Sequence, residues 1–390
     1  MSKPSIGRRQ LLRDALTAAA ALALTPLLPD LASRPEPSAP SADGRPERTM
    51  MATSKAWIAG STGPRLTRDE RSFFNDEAPF GFILFRRNIV EASQLYDLVA
   101  GLKDSVGGEN VPIFVDQEGG RIQRLRPPLA ADYPSAETLG RLFERDETAG
   151  RRAAWLQGRL LASDLAAYGI NANCVPCLDV PVPGSHSVIG DRAFSSDPSI
   201  VIELGRAAAD GTMAAGALPV MKHLPGHGRG NADSHLSLPV VDAEPEELAA
   251  SDFRPFAALR DLPAAMTAHL LFTRIDPDRP ATLSPVVIEE IIRGEIGFDG
   301  LLMTDDISMK ALSGDFGDLA RRAIDAGCDL VLHCNGDMSE MKSIASAVPE
   351  LTGRASERAA AATAILAKGP DRSDPVDLRA EFDELTAALV

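Results

Sequence analysis

From residue 56 onward the chain repeats one unit: a short apolar run that closes on a polar residue or turn, then a longer stretch with helical periodicity. The apolar runs are AWIAGS (56–61), GFILFRRN (81–88), VPIFVDQEGG (111–120), INANCVPCLDV (170–180), LPVMKHLPG (218–226), AAMTAHLLF (264–272), GLLMTDDISM (300–309) and DLVLHCNG (329–336). A strand buried on both faces reads as a continuous apolar run, and parallel neighbours need helical crossovers, so the pattern predicts a parallel sheet covered by helices. Eight such units predict closure into an α/β fold of the TIM (β/α)8 type, a single domain. An open doubly wound sheet would be expected to carry a Gly-rich phosphate loop, and GSTGPR is too weak a match to serve as one.

Helix candidates between the runs include SQLYDLVAGLKD, TAGRRAAWLQGRLLASDLAAY, SIVIELGRAAADGTMAAG, PEELAASDFRPFAALR and GDLARRAIDAG. The barrel is expected over 51–345, and 346–390 reads as a helical tail packing on it. Residues 1–50 differ: Arg8 and Arg9 precede an apolar run too short to span a bilayer, followed by a Pro/Ser/Ala-rich linker. This segment resembles a twin-arginine export signal, which would make the protein periplasmic; the alternative is a true start at Met50 or Met51 and a cytoplasmic protein, the reading adopted here. Acidic residues outnumber basic ones by 55 to 40, a formal charge of -15, which argues against nucleic-acid and anionic-membrane partners and for a small ligand. The four cysteines, Cys174, Cys177, Cys328 and Cys334, are too few and too unevenly spaced for a disulfide scaffold or a zinc ribbon and read as buried free thiols.

A barrel gathers its chemistry where the strands end, and here those ends carry Asn88, Asp116, Asp179, Lys222, His223, His269, Asp305 and Asn335. Asp305 and Asp306 follow an apolar strand; side chains alternate, so one faces the barrel axis as a potential nucleophile while the other suits a cap or turn. Asp116, Glu118, Arg121 and Arg124 cluster around Gly119 and Gly120, either as an exposed ion cluster or as a barrel-mouth site where the glycines let the backbone approach a ligand. His223 and His227 have the spacing of a helical zinc pair, but Pro225 and Gly226 break that helix, and Lys222 with His223 reads better as a pair of ligand donors. Asp233 and His235 lie on a long loop past their strand, where the carboxylate can hold the imidazole as a general acid and base.

Taken together, VDQEGGRIQRL, GDRAF, KHLPGHG with DSHLSLP, and MTDDISM occur in the order found in the single-domain β-N-acetylhexosaminidases of glycoside hydrolase family 3, which the chain resembles over roughly residues 55 to 345. The resemblance implies retaining exo-hydrolysis of terminal N-acetylglucosamine from peptidoglycan fragments, with no cofactor, no metal, a muropeptide as the ligand and a monomeric state. It makes Asp305 the nucleophile, His235 the acid/base and Asp233 its partner, and assigns the sugar to Asp116, Arg124, Arg192, Lys222 and His223. Leu224 stands where such enzymes often have phenylalanine. Phosphorolysis on the same barrel is the alternative reading; a metal-dependent hydrolase using His223, His227, His235 and an Asp, or a noncatalytic sugar-binding protein, ranks below it.

Overall fold

The computed structural model describes residues 54–108 and 110–387, so the twin arginine and the methionines Met50 and Met51 lie outside the described residues. Eight parallel strands close into a barrel: β1 (Lys55–Gly60), β2 (Pro79–Leu84), β3 (Ile113–Val115), β4 (Ala172–Asn173), β5 (Leu218–Leu224), β6 (Ala264–Thr267), β7 (Leu301–Asp306) and β8 (Leu330–His333). Each pairs with its sequence neighbours, and β1 closes on β8 with Ile58 opposite Leu332. Every apolar run anticipated from the sequence supplies one strand. The strands are unbroken apolar runs because both faces are covered: all residues of β2 and β5 are buried, including the polar end of β5.

Alternation sorts the strand residues. Val220, Ala264, Met266, Leu301 and Met303 share one core cluster, whereas Met221, Ala265 and Leu302 pack in another. Asp305 continues the parity of Leu301 and Met303 and so emerges on their side of β7.

Six of the described helices begin where the sequence offers a side-chain oxygen to the first free N–H groups. Thr67 and Glu70 form a reciprocal capping box, and Asp146, Asp197, Asp315, Asp337 and Asp374 each accept a backbone N–H of the helix they precede. One expected helix divides: PEELAASDFRPFAALR forms Pro245–Ala250 and Arg254–Ala258. A continuous helix would need an N–H from Pro255 to reach Ser251, and proline has none.

Two further helices, Gly353–Thr363 and Pro375–Thr386, follow the last barrel helix. The second lies against the long helix Glu147–Ala166: Arg152 forms a bidentate pair with Glu381, Arg159 bonds Asp371, and Phe382 packs beside Tyr133 with ring centroids 6.0 Å apart. Among the described residues no helix is long and apolar enough to cross a membrane. Phe382 is 2% exposed. Phe382→Ala is expected to cost about 3 kcal/mol of unfolding free energy, a lost ring plus a cavity. The half-exposed Glu381→Gln should cost under about 1 kcal/mol, and urea titration of both variants checks the contrast.

Candidate active site

The exit of β3 builds one wall. Asp116 and Glu118, two apart on an extended segment, face the same way, while Gln117 turns inward and its Oε1 accepts the N–H groups of Arg124 (2.8 Å) and Leu125 (3.0 Å). Asn173 on β4 braces this segment, accepting the Gln117 N–H and donating to its carbonyl. Asp116 accepts from Lys222 and Arg124, each at 2.9 Å. Glu118 accepts from Lys222 at 2.7 Å and from both forks of Arg192 at 2.8 and 2.9 Å. Burial alone would raise both acids, but Lys222 and Arg124 hold Asp116 far below the usual carboxylate range, and Arg192 and Lys222 bring Glu118 to about 2. Burial likewise opposes the Lys222 charge, yet the two carboxylates raise its pKa above that of an ordinary lysine.

Gly119 and Gly120 have φ of 100° and 56°, which favour glycine. The closeness they permit is to the protein's own chain: a Cβ at Gly119 would meet the Pro134 carbonyl at 2.5 Å, and one at Gly120 the Ser135 side chain at 2.8 Å. This corrects the expectation that the pair makes room for a ligand. Arg121 is exposed and binds Asp191 together with the carbonyls of Ser187, Val188 and Ile189, so it pins the segment that delivers Arg192.

At the exit of β5 both Lys222 and His223 reach the cavity, across a peptide bond that is cis. His223 Nδ1 lies 2.7 Å from Asp179 Oδ2; the carboxylate only accepts, so Nδ1 carries the proton and Nε2 faces Arg192 at 3.5 Å. Asp179 is completely buried and also accepts the N–H of His227 at 2.6 Å. Burial would raise its pKa, but the imidazole beside it keeps it well below the normal range.

At the exit of β7 the two acids part. Asp306 Oδ1 accepts the N–H groups of Ser308 and Cys334, Oδ2 accepts the Ser308 hydroxyl at 2.6 Å, and its carbonyl accepts from His269 Nε2 at 3.0 Å. It is a turn acid. Asp305 instead enters the cavity with one oxygen on the Asp306 N–H at 2.8 Å. Burial pushes its pKa up, but the His223 and His269 imidazoles, that backbone N–H and Lys222 together hold it below an ordinary aspartate, so it is ionised at neutral pH.

The loop between β5 and the short strand Val240–Val241 carries Asp233 and His235. Asp233 Oδ1 accepts both the N–H of His235 (2.9 Å) and its Nδ1 (2.8 Å), leaving Nε2 directed away from the carboxylate. Asp116, Arg124, Arg192, Lys222, His223, His235 and Asp305 all line one cavity of about 180 Å³, and Asp233 stands behind His235. Of the other strand-end residues, Asn88 is buried on Ser61 and Gly63, Asn335 is exposed, and His269 supports Asp306 from below. Glu118, Asp179 and His227 complete the site; the sequence marks Asp179 as a strand-end residue, Glu118 as a member of the barrel-mouth cluster and His227 only as a possible metal ligand, without assigning any of them to the sugar site, and the i+2 spacing of Glu118 from Asp116 is the signal that places it there.

All four cysteines are free and buried. Among the described residues, the histidines weighed as a metal set do not converge; Cys177, Asp179 and His223 do, with ligand atoms within 4.8 Å of one another. Those atoms already bond each other: Asp179 Oδ2 accepts from His223 and from the Cys177 thiol at 3.2 Å, and burial pushes that thiol well up, away from the thiolate a metal needs.

A barrel mouth that gathers an ionised inward carboxylate, a tethered imidazole and paired cations has the groups that glycoside hydrolysis requires, an acid to face the anomeric carbon and a proton donor for the leaving oxygen. Residues 51–367 match the glycosyl hydrolase family 3 N-terminal domain. The β-hexosaminidase of Methylococcus capsulatus is 42% identical over 277 residues, 70% of this chain and 80% of that protein. That of Aromatoleum aromaticum is 39% identical over 277 residues, 70% of this chain and 77% of that protein. The structure of NagZ from Neisseria gonorrhoeae in complex with N-trifluoroacetyl-D-glucosamine is similar with a TM-score of 0.75 and 31% identity, covering 86% of this chain and 97% of that one. The chain belongs to glycosyl hydrolase family 3, as an enzyme of the β-hexosaminidase type.

His227 gives the site a pH signature. Loss of hydration lowers its pKa from 6.5 to about 4, against the pull of Asp179 and with the help of His223. Between those values the unfolded chain binds more protons at this ring than the native state, so stability rises with pH there. The contribution is full above pH ~6.5 and is lost as pH falls toward ~4, by about 3 kcal/mol. His227→Gln, which cannot titrate, should lose less stability than the wild type between pH 7 and 4.5 in urea unfolding; parallel losses would show the ring is not buried neutral.

Proposed function

We propose that the protein is a retaining exo-β-N-acetylglucosaminidase that releases terminal non-reducing N-acetylglucosamine from peptidoglycan fragments, GlcNAc-β-1,4-anhydroMurNAc-peptides. The observation that carries this reading is the presence of Asp305 and His235 in the wall of one cavity, with Asp306 turned away into its own turn. In the first step Asp305 attacks the anomeric carbon, the glycosidic C–O bond breaks and His235, entering the step as the imidazolium with Nδ1–H on Asp233, gives its Nε2 proton to the leaving oxygen. In the second, His235 takes a proton from water, whose oxygen attacks the same carbon and expels Asp305. Two inversions retain the configuration. The oxocarbenium character that develops is stabilised by the ionised Asp305, and Asp233 holds the imidazole in the tautomer that the proton transfers need.

The floor suits a sugar end. Asp116 offers acceptor oxygens, and Lys222, Arg124, Arg192 and His223 offer or orient polar atoms around it, a pattern that matches hydroxyls and an acetamido group. The relative from Neisseria gonorrhoeae bound an N-acylated glucosamine, which supports the sugar assignment. Water is favoured over phosphate as the second-step acceptor because Lys222, Arg124 and Arg192 are each already bonded to Asp116 or Glu118.

Asp305→Ala should lower turnover of a chromogenic N-acetylglucosaminide by about a thousandfold or more, and a fluorinated-sugar trap should label Asp305 in the wild type. His235→Ala should lose roughly 100-fold or more in kcat/KM on a phenyl glycoside and far less on a dinitrophenyl glycoside, whose leaving group needs no proton. Label on Asp306, or full activity in Asp305→Ala, would refute the assignment. Product analysis with and without inorganic phosphate should give free N-acetylglucosamine in both; sugar 1-phosphate would identify a phosphorylase instead.

A further inference from the structure

The loop that carries the dyad is held by the residue between its two members. Ser234 is 4% exposed, whereas the side chains of Asp233 and His235 are 26% and 66% exposed. Its carbonyl accepts the N–H of Ala311, on the segment that follows β7, at 3.1 Å. Its hydroxyl lies 3.4 Å from Nε2 of His227.

His227 is itself buried and otherwise poorly served. Its Nδ1 has no hydrogen-bond partner, and its ring stands edge to face with His223 at 5.7 Å. Gly230 folds the loop back against that ring, where a Cβ would come within 3.1 Å of it. The backbone N–H of His227 bonds the same Asp179 carboxylate that orients His223. One buried imidazole therefore faces the floor of the site on one side and the underside of the loop on the other.

We propose that His227 is the seat of the catalytic loop: Nε2 receives the Ser234 hydroxyl, and this contact fixes the position from which His235 works. The inference rests on the reading of His235 as the acid/base. Ser234 and His227 are positioning residues that act through His235 without touching the scissile bond. At 3.4 Å the contact is long and weak, which suits a latch. A loop held by so light a contact loses little on opening, and it returns to one place because a buried hydroxyl needs a partner. Backbone anchors bound the moving part: His227 N–H on Asp179 before it, and Leu271 N–H on the Pro239 carbonyl after it.

The test uses leaving-group dependence, which reads proton donation and is indifferent to a general loss of structure. kcat/KM, which reports glycosyl-enzyme formation, is measured on phenyl and dinitrophenyl N-acetyl-β-glucosaminides, with active sites titrated by the fluorinated-sugar trap so that only folded enzyme counts. Ser234→Ala and His227→Leu should lose about tenfold more on the phenyl than on the dinitrophenyl substrate, and His227→Gln, which keeps a polar group near the Nε2 position, should stay within about threefold of the wild-type ratio. Equal losses on both substrates, or an unchanged ratio in both Ser234→Ala and His227→Leu, would overturn the seat. His235→Ala is the control: if it also left the ratio unchanged, the acid/base reading would fall and the seat with it, whereas a shifted control with unshifted Ser234 and His227 variants would remove the seat alone.

Discussion

A lysine ammonium held between two carboxylates organises the mouth of this barrel. Lys222 Nζ lies 2.9 Å from Asp116 and 2.7 Å from Glu118, and Arg124 and Arg192 bind the outer sides of the same acids. An isolated charge at this depth would be strongly disfavoured, so no member can leave without stranding the others. The network joins the exit of β3, the exit of β5 and the 190–192 turn, segments far apart in the chain. It contains three cations and two anions, and the ionised Asp305 nearby balances the remainder. A floor fixed in this way presents its oxygen and nitrogen atoms to the cavity without having to reorganise.

Adjacent acids at the end of β7 illustrate how little separates chemistry from support. Asp306 is surrounded by donors, two backbone N–H groups and a hydroxyl, and is thereby committed to the turn. Asp305 has one backbone donor and an open cavity. Beneath them His269 accepts nothing from the acids themselves; its Nε2 donates to the Asp306 carbonyl while its Nδ1 sits 2.7 Å from the Thr282 hydroxyl. Asp305 is thus carried by a strand, whereas His235 is carried by a loop. Under the proposed mechanism that division fits their tasks, since a nucleophilic carboxylate must be placed firmly against one carbon and an acid/base must reach the leaving oxygen from the other side.

Much of this was legible in the chain because the barrel imposes a local rule. Continuous apolar runs such as VPIFV and GLLMT mark strands buried on both faces, and the polar residue that ends each run must emerge at the mouth, so Asp116, Lys222 and Asp305 were readable as barrel-mouth residues. The Asp-X-His spacing likewise places a carboxylate within reach of an imidazole whatever the surrounding fold. Strand-end position and i+2 spacing bring Asp179 and Glu118 to the mouth, but the partners that give them their importance, His223 and Arg192, lie 44 residues and more away, and no local pattern announces such a pairing. Gly119 and Gly120 are misleading for the same reason, because the surface they approach is the protein's own Pro134–Ser135 segment.

The sequence by itself determined the eight-unit alternation, the residue types at the strand ends and the dyad, since each depends on neighbours within a few positions. Only the tertiary structure decided which of the two acids on β7 enters the cavity, which cations neutralise which carboxylates, and that Ser234 is buried beside His227. Those outcomes depend on burial and on donors brought from distant segments, and a buried charge or hydroxyl takes its state from whatever surrounds it in space.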